Sequence, residues 1–227
     1  MEKNVLIVHY NTPVLTDATI RSIWKHTPDA KITVFDNSDK YPLREIDGVT
    51  VIDNTKEQVL DFDEMIASFP NRKESGTGYG SAKHCYTVDY CMDLFKDGFV
   101  LLDSDVLVKK DLSDLFDESV CWVGQPHLSV KHAVGIVRLY PFCCFINTDL
   151  CAENNIRYFD RNHMWELSDP PIGCWYDTGA WFLEATKYLP HREIPVSEYV
   201  EHYGRGSWSK GKISPEVWLR KYSVYYE

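Results

Sequence analysis

Short stretches of unbroken apolar residues recur along this chain, and each ends in a polar turn. The first is Val5-Leu6-Ile7-Val8. A run with no polar alternation has no face to show to water, so it reads as a strand buried on both sides, the pattern of a parallel sheet. It stops at His9-Tyr10-Asn11-Thr12-Pro13. Thr16-Asp17 then offers a helix N-cap, Ala18, Ile20, Ile23 and Trp24 follow at roughly helical spacing, and Thr27-Pro28-Asp29-Ala30 closes the helix. Lys31-Ile32-Thr33-Val34-Phe35 is a second strand, stopped by Asp36-Asn37-Ser38-Asp39. Strand, helix and strand in so short a span make a βαβ unit. Val49-Thr50-Val51-Ile52 predicts a third strand. Residues 70–80, rich in Gly, Ser, Asn and charge, read as loop. Residues 81–95 have helical periodicity through Ala82, Tyr86, Tyr90 and Leu94. Phe99-Val100-Leu101-Leu102 is the next buried strand and ends on Asp103-Ser104-Asp105. A short helix over residues 111–116 and strands over 121–124 and 142–147 follow, and the stretch from Ala180 onward is mixed and aromatic-rich.

No internal repeat or low-complexity linker interrupts this order. With 227 residues, one domain spanning residues 1–227 is expected, regular to about residue 112 and less so over 113–227. The hydrophobic fraction of 44% and charged fraction of 26% are those of an ordinary globular protein. A net charge of -10 argues against a nucleic-acid partner, whose recognition rests on clustered Lys and Arg. It is no obstacle to an anionic small molecule when a metal ion supplies local positive charge. No apolar run approaches the ~18 residues of a membrane span, and Lys109-Lys110 and Arg220-Lys221 are pairs rather than a polybasic patch. Peripheral membrane contact stays compatible with the sequence. The 7 cysteines include no C-x-x-C pair, which removes a zinc ribbon or redox motif, and they read as small core hydrophobes. The first residues lead straight into the first strand without a signal-peptide pattern, so a cytoplasmic location is expected.

The strongest chemical signal is the pair Asp103 and Asp105, set directly after a buried strand where open α/β sheets bind ligands. Two carboxylates this close repel, and burying them costs several kcal/mol unless a cation compensates. Mn2+ and Mg2+ prefer oxygen ligands and are commonly shared between carboxylates and substrate phosphates. A solvated Asp-Ser-Asp turn is the competing reading, made less apt by the apolar runs on both sides.

FVLLDSDVLVKKDL, residues 99–112, resembles the D-x-D segment of nucleotide-sugar glycosyltransferases of the GT-A fold. VLIVHYNTPVLTDATIRSI (5–23), with VFDNSDK after it, resembles the opening of family 2 glycosyltransferases. The resemblance implies an α/β, single-domain GT-A fold with a mostly parallel central sheet flanked by helices. It implies a donor-nucleotide half to about residue 112, and an acceptor half with a metal and diphosphate loop after it. Tyr10, Asn11, Asp36 and Asn37 would border the base and ribose, although Asp36-Asn37 equally suits turn chemistry. Lys83 matches a basic residue facing the donor, or is a solvated helix lysine. Asp103 and Ser104 would touch ribose or sugar, and Asp105 would be the more direct metal ligand.

Residues 201–208, EHYGRGSW, are similar to the C-terminal histidine-glycine element of GT-A enzymes such as family 8, with a different spacing of H-x-G-x-G-x-W. His202 would complete the metal site, and Gly204 and Gly206 would close on the diphosphate, with Arg205 adding charge. PFCCFINTDL (141–150) resembles a family 8 strand, which puts Asn147 near the donor sugar or leaves it capping a turn. Asp177, in WYDTGAW, is the candidate base for the acceptor hydroxyl, with Asp169 and Glu166 behind it; Tyr176 stands where the family 2 base has an acidic neighbour. The implied activity is divalent-metal-dependent transfer from a UDP- or GDP-sugar to a carbohydrate, glycolipid or other hydroxyl acceptor, with polysaccharide biosynthesis as a setting. The same fold also serves nucleotidylyltransferases, which carry a glycine-rich first loop in place of HYNTP, and non-catalytic nucleotide-sugar or glycan binders.

Overall fold

The computed structural model describes residues 1–69, 79–131, 134–163, 165–167, 173–175, 178–204 and 213–227. In chain order the elements are β1 (Asn4–His9), α1 (Pro13–His26), β2 (Lys31–Asp36), β3 (Val49–Asp53), α2 (Asn54–Glu57), α3 (Phe62–Ala67) and α4 (Gly80–Met92). Then come β4 (Phe99–Asp103), β5 (Val106–Val108), β6 (Trp122–Gly124), β7 (Pro126–Lys131), β8 (Val134–Leu139), β9 (Cys143–Ile146) and α5 (Thr148–Glu153). The last are β10 (Trp165–Leu167), β11 (Gly173–Trp175), α6 (Ala180–Thr186), β12 (His191–Glu193), β13 (Val200–His202) and α7 (Pro215–Lys221).

Among the described residues the central sheet has the order β12-β6-β9-β4-β1-β2-β3. Strands β3, β2, β1 and β4 run parallel, β12 is parallel to β6, and β9 alone is antiparallel to its neighbours. The unbroken apolar runs explain this centre. Leu6, Val8, Phe99 and Leu101 pack on one face of the sheet with Ala82, Cys85, Val88 and Cys91 of α4. Val5, Ile7, Val100 and Leu102 pack on the other face with Ile20 and Ile23 of α1. A strand that feeds two cores cannot afford polar alternation, and each such fully buried side chain contributes about 1.5–3 kcal/mol. The expected α/β fold with a mostly parallel, helix-flanked sheet is the one found.

Two local expectations change. Helix α1 begins at Pro13, one turn earlier than Thr16-Asp17 suggests, with Thr12 at the cap position. Proline at the first helical position costs no hydrogen bond and has the helical φ already set. Thr16 is instead buried inside the helix, its hydroxyl 3.0 Å from the Thr12 carbonyl. In α4 the core stripe is Ala82-Cys85-Val88-Cys91 rather than the line through Tyr86, Tyr90 and Leu94. The two tyrosines pack at the margin of the core, and Leu94 lies beyond the helix end at 47% exposure. Small residues let α4 lie close to the sheet, which the larger aromatics at its edge would prevent.

Gly98 sets the entry to β4 and has a φ of +122°. A Cβ there would come within 2.3 Å of the Ile146 carbonyl oxygen and 2.9 Å of the Phe145 ring. The Gly98→Ala variant is therefore expected to lose about 2 kcal/mol or more of stability, a fall in Tm of roughly 4–8 °C. Thermal melting of the two proteins side by side checks this. An unchanged Tm would mean that the β4 entry relaxes at little cost.

Candidate metal and donor site

The parallel strands β1, β2 and β4 end together. His9 is in register with Asp36, and Val8 with Asp103. Tyr10-Asn11, Asp36-Asn37 and Asp103 consequently lie along one edge of the sheet, at the strands' carboxyl ends. Past Asp103 the chain turns through Ser104-Asp105 into β5, and the turn is clamped from below by hydroxyls on α1. Thr12 Oγ1 is 2.9 Å from Ser104 Oγ, Thr19 Oγ1 donates to the Val106 carbonyl at 2.7 Å, and Ser22 Oγ accepts from the Val108 amide at 2.9 Å. Thr12, Thr19 and Ser22 are all buried. With Thr16 they repeat every three or four residues, a polar stripe on a helix face that would otherwise be apolar.

His202 reaches this turn through a separate strand. β13 pairs antiparallel with β5, with His202 opposite Val106, and the Tyr203 amide donates to the Asp105 carbonyl at 2.9 Å. The His202 imidazole stacks on Phe142 with ring centroids 4.3 Å apart. Its Nε2 lies 3.2 Å from Asp105 Oδ1 and 3.8 Å from Asp103 Oδ2. One ligand atom from each of Asp103, Asp105 and His202 lies within 4.8 Å of the others. Two carboxylate oxygens and an imidazole nitrogen are hard-to-borderline donors, a set that fits Mn2+ or Mg2+ and lacks the thiolates that select softer ions.

Charge inside the cluster is partly offset by histidine and arginine. Burial alone would push the Asp103 carboxyl up, but the His84 imidazole beside it, then the charges of His202 and Arg138, hold it below its ordinary value. Burial alone would lower His202, but the Asp105 hydrogen bond and the charges of Asp105 and Asp103 raise it above its usual 6.5. Arg138 comes from β8, whose partner β7 carries His127 opposite it. His127, Tyr140, Phe142 and His202 form a run of ring contacts, stacked at both ends and tilted between Tyr140 and Phe142, leading from that hairpin to the Asp103–Asp105–His202 cluster.

The other residues expected at the site fall into distinct places. Tyr10 is 42% exposed at the sheet edge. Asn11 adopts a positive φ of 57° and holds the following loop: its Oδ1 accepts from the Lys40 and Tyr41 amides at 3.0 Å. Asp36 is fully buried and accepts the amides of Ser38 and Leu43 at 2.8 and 2.7 Å, so it shapes that loop and does not face the site. Asn37 links Thr87 of α4 to Asn54 of α2, at 3.0 and 3.1 Å. Ser104 is buried against Thr12 and does not project its hydroxyl to the site. Lys83 turns to the Phe62 ring, with Nζ 5.2 Å from its centroid, and its neighbour His84 takes the position facing Asp103, Nε2 3.4 Å from Oδ1. Asn147 follows β9, which runs antiparallel to β4, so it sits at the opposite end of the sheet. There its Oδ1 accepts from the Leu150 amide, capping α5, and its Nδ2 donates to the Glu118 and Val120 carbonyls. Gly204 has a φ of +72° with open space where a Cβ would stand. Asp177, Gly206, Arg205 and Asp169, and the side chain of Glu166, lie outside the described residues.

Sequence reasoning passed over His84, Arg138, Phe142 and the hydroxyl stripe of α1. The stripe left a signal, since Thr12, Thr16, Thr19 and Ser22 have helical spacing. The other three are brought in by α4 and by the β8–β9 connection, across separations that local pattern does not reveal.

The raised His202 value gives the candidate metal site a pH signature. A metal ligand must be the neutral imidazole, so binding expels the proton that Asp105 and Asp103 help hold there. Mn2+ affinity is expected to strengthen as pH climbs toward the raised His202 value and to level off above it, read by calorimetric titration across pH. In metal-free protein the sign is opposite. The protonated form favours folding, so the stability His202 contributes is complete below 6.5 and is lost as pH climbs through its raised value. A Mn2+ affinity flat across this range would remove His202 from the ligand set.

No family model matches the chain, and no curated protein matches it. Among solved structures, the glycosyltransferase GlyE of Streptococcus pneumoniae TIGR4 aligns over 100% of this chain and 62% of its own, at 13% identity and a TM-score of 0.53. Its apo form gives a TM-score of 0.51 over the same shares. TarS of S. aureus aligns over 88% of this chain and 60% of its own, at 14% identity and a TM-score of 0.47. The chain thus spans less than two thirds of the length of these structures. Among the described residues no helix is long and apolar enough to cross a membrane. The architecture expected from the D-x-D segment is present: the chain has a GT-A-like glycosyltransferase fold.

Proposed function

We propose that the chain is a glycosyltransferase that moves a sugar from a nucleoside diphosphate donor, a UDP- or GDP-sugar, to a hydroxyl of a carbohydrate or glycolipid acceptor. The observation that carries this reading is the Asp103–Asp105–His202 cluster at the carboxyl edge of the central sheet. The shared fold supports it, and so does the charge logic: two carboxylates and a histidine attract a divalent cation, which then attracts a diphosphate. When bound, Mn2+ or Mg2+ supplies positive charge against the negative charge that grows on the departing diphosphate.

The remaining groups bind and orient. Asp105 is the more buried carboxylate and is hydrogen-bonded to His202, so its oxygen is the better fixed of the two. Tyr10, exposed at the edge, is suited to the nucleoside. Gly204, with open space above its α-carbon, lets backbone approach the diphosphate closely. Asp177 is the candidate base that accepts the acceptor hydroxyl proton.

A thermal-shift screen of nucleoside diphosphates and nucleotide sugars, with and without Mn2+, tests the reading. A nucleotide at 100 times its Kd adds about 2.7 kcal/mol, a rise in Tm of roughly 5–10 °C. That rise is expected with one base only, to require Mn2+, and to vanish in the Asp105→Ala variant. No shift with any nucleotide in folded protein would sink the donor reading. A shift that survives Asp105→Ala would keep the donor and remove the metal from Asp105.

A further inference from the structure

We propose that His84 is a positioning residue for Asp103, holding one oxygen of that carboxylate so that the other is presented to the divalent cation. The proposal rests on the metal reading of the Asp103–Asp105–His202 cluster given above.

The geometry begins with α4. Ala82, Cys85, Val88 and Cys91 are the buried face that lays this helix on the sheet. His84, one residue before Cys85, is therefore carried to the flank of the helix that meets the end of β4. Its Nε2 stands 3.4 Å from Asp103 Oδ1. The other carboxylate oxygen, Oδ2, faces His202 Nε2 at 3.8 Å. Asp103 is thus bracketed by two imidazoles, one on each oxygen. His202, a member of the cation cluster, lies on the Oδ2 side, while His84 belongs to the Oδ1 side.

His84 is not satisfied as it stands. Both ring nitrogens are closed off from solvent, and neither makes an aligned hydrogen bond. A buried imidazole left in that condition is costly, and packed proteins rarely keep such a group without a use for it. Asp103 is the acceptor in reach. Closing the gap to an ordinary hydrogen bond needs a shift of roughly half an ångström. A carboxylate that ligates a metal is commonly held by such a bond to its second oxygen, which fixes its rotation and raises its power as a ligand. The imidazole needs only its Nε2–H for this. Lys83, the basic neighbour, is turned away onto Phe62 and does not compete for the place.

The test is Mn2+ affinity, measured by calorimetric titration on the whole chain, for wild type, His84→Leu and His84→Gln. Leucine keeps the bulk and removes the donor. Glutamine carries an amide N–H about as far from the backbone as Nε2. His84→Leu is expected to weaken Mn2+ binding about 10–100-fold, with His84→Gln close to wild type and both variants melting near the wild-type temperature. If His84→Leu does not fold, His84→Asn, whose amide is too short to reach Oδ1, takes its place with the same expected loss. Equal Mn2+ affinity in His84→Leu and wild type would overturn the positioning role and leave the metal site standing. An equal loss in His84→Gln and His84→Leu would also overturn it, since the donor would then not matter. Wild-type protein that binds no Mn2+ would remove the metal reading and this inference together.

Discussion

Two carboxylates held within a few ångströms of each other repel, and the architecture around Asp103 and Asp105 is organised by that repulsion. At the separation allowed by the cluster, at most 4.8 Å between ligand atoms, two unit charges cost about 3.5 kcal/mol or more at an effective dielectric of ~20. That is a large fraction of the margin by which a domain stays folded. The chain meets it with structure rather than by letting the pair swing into water. The strand before the pair is buried in two cores, the turn between them is clamped by hydroxyls of α1, and the strand after them is zipped to β13. The same zipper delivers His202, and Phe142 then fixes the plane of its ring. What remains uncompensated is electrostatic, and it is the attraction a cation feels.

The acids were legible in the sequence because they interrupt an apolar run at a place where a solvated turn makes little sense. His202 was legible for a different reason, the glycines and aromatic around it. Their meeting was expected only through the family resemblance, because local pattern does not show β13 pairing with β5 almost a hundred residues away, and three-residue strands leave no periodicity to detect. The helix before the D-x-D strand shows the same limit. Its apolar line seemed to run through tyrosines, yet the close packing is done by Ala82, Cys85, Val88 and Cys91. Choosing the wrong stripe rotates a helix by a residue, and one residue separates Lys83, which faces Phe62, from His84, which faces Asp103.

Asp36-Asn37 and Asn147 show how a motif can be present with its polar groups already committed. Asp36 spends both carboxylate oxygens on the Ser38 and Leu43 amides, deep in the fold, with His9 beside it. Asn11 ties down the next part of the same loop. These residues give the edge of the sheet its shape, and the exposed Tyr10 ring stands on that shape. Asn147 is a helix cap because β9 reverses direction relative to β4 and carries it to the far end. Sequence order places a residue after a strand; only strand direction says at which edge it emerges.

The acidity of the chain fits the same account. A protein of net charge -10 repels a diphosphate at long range, and the cluster on its own would repel it at short range as well. Among the described residues, His84, His202 and Arg138 are the groups that favour the charged form of Asp103. Side chains of this kind can steady carboxylates but cannot reverse the sign of the site. A divalent ion would reverse it, at the place where the fold holds two acids together. The repulsion between Asp103 and Asp105 and the attraction of the pair for a cation are therefore two readings of a single interaction.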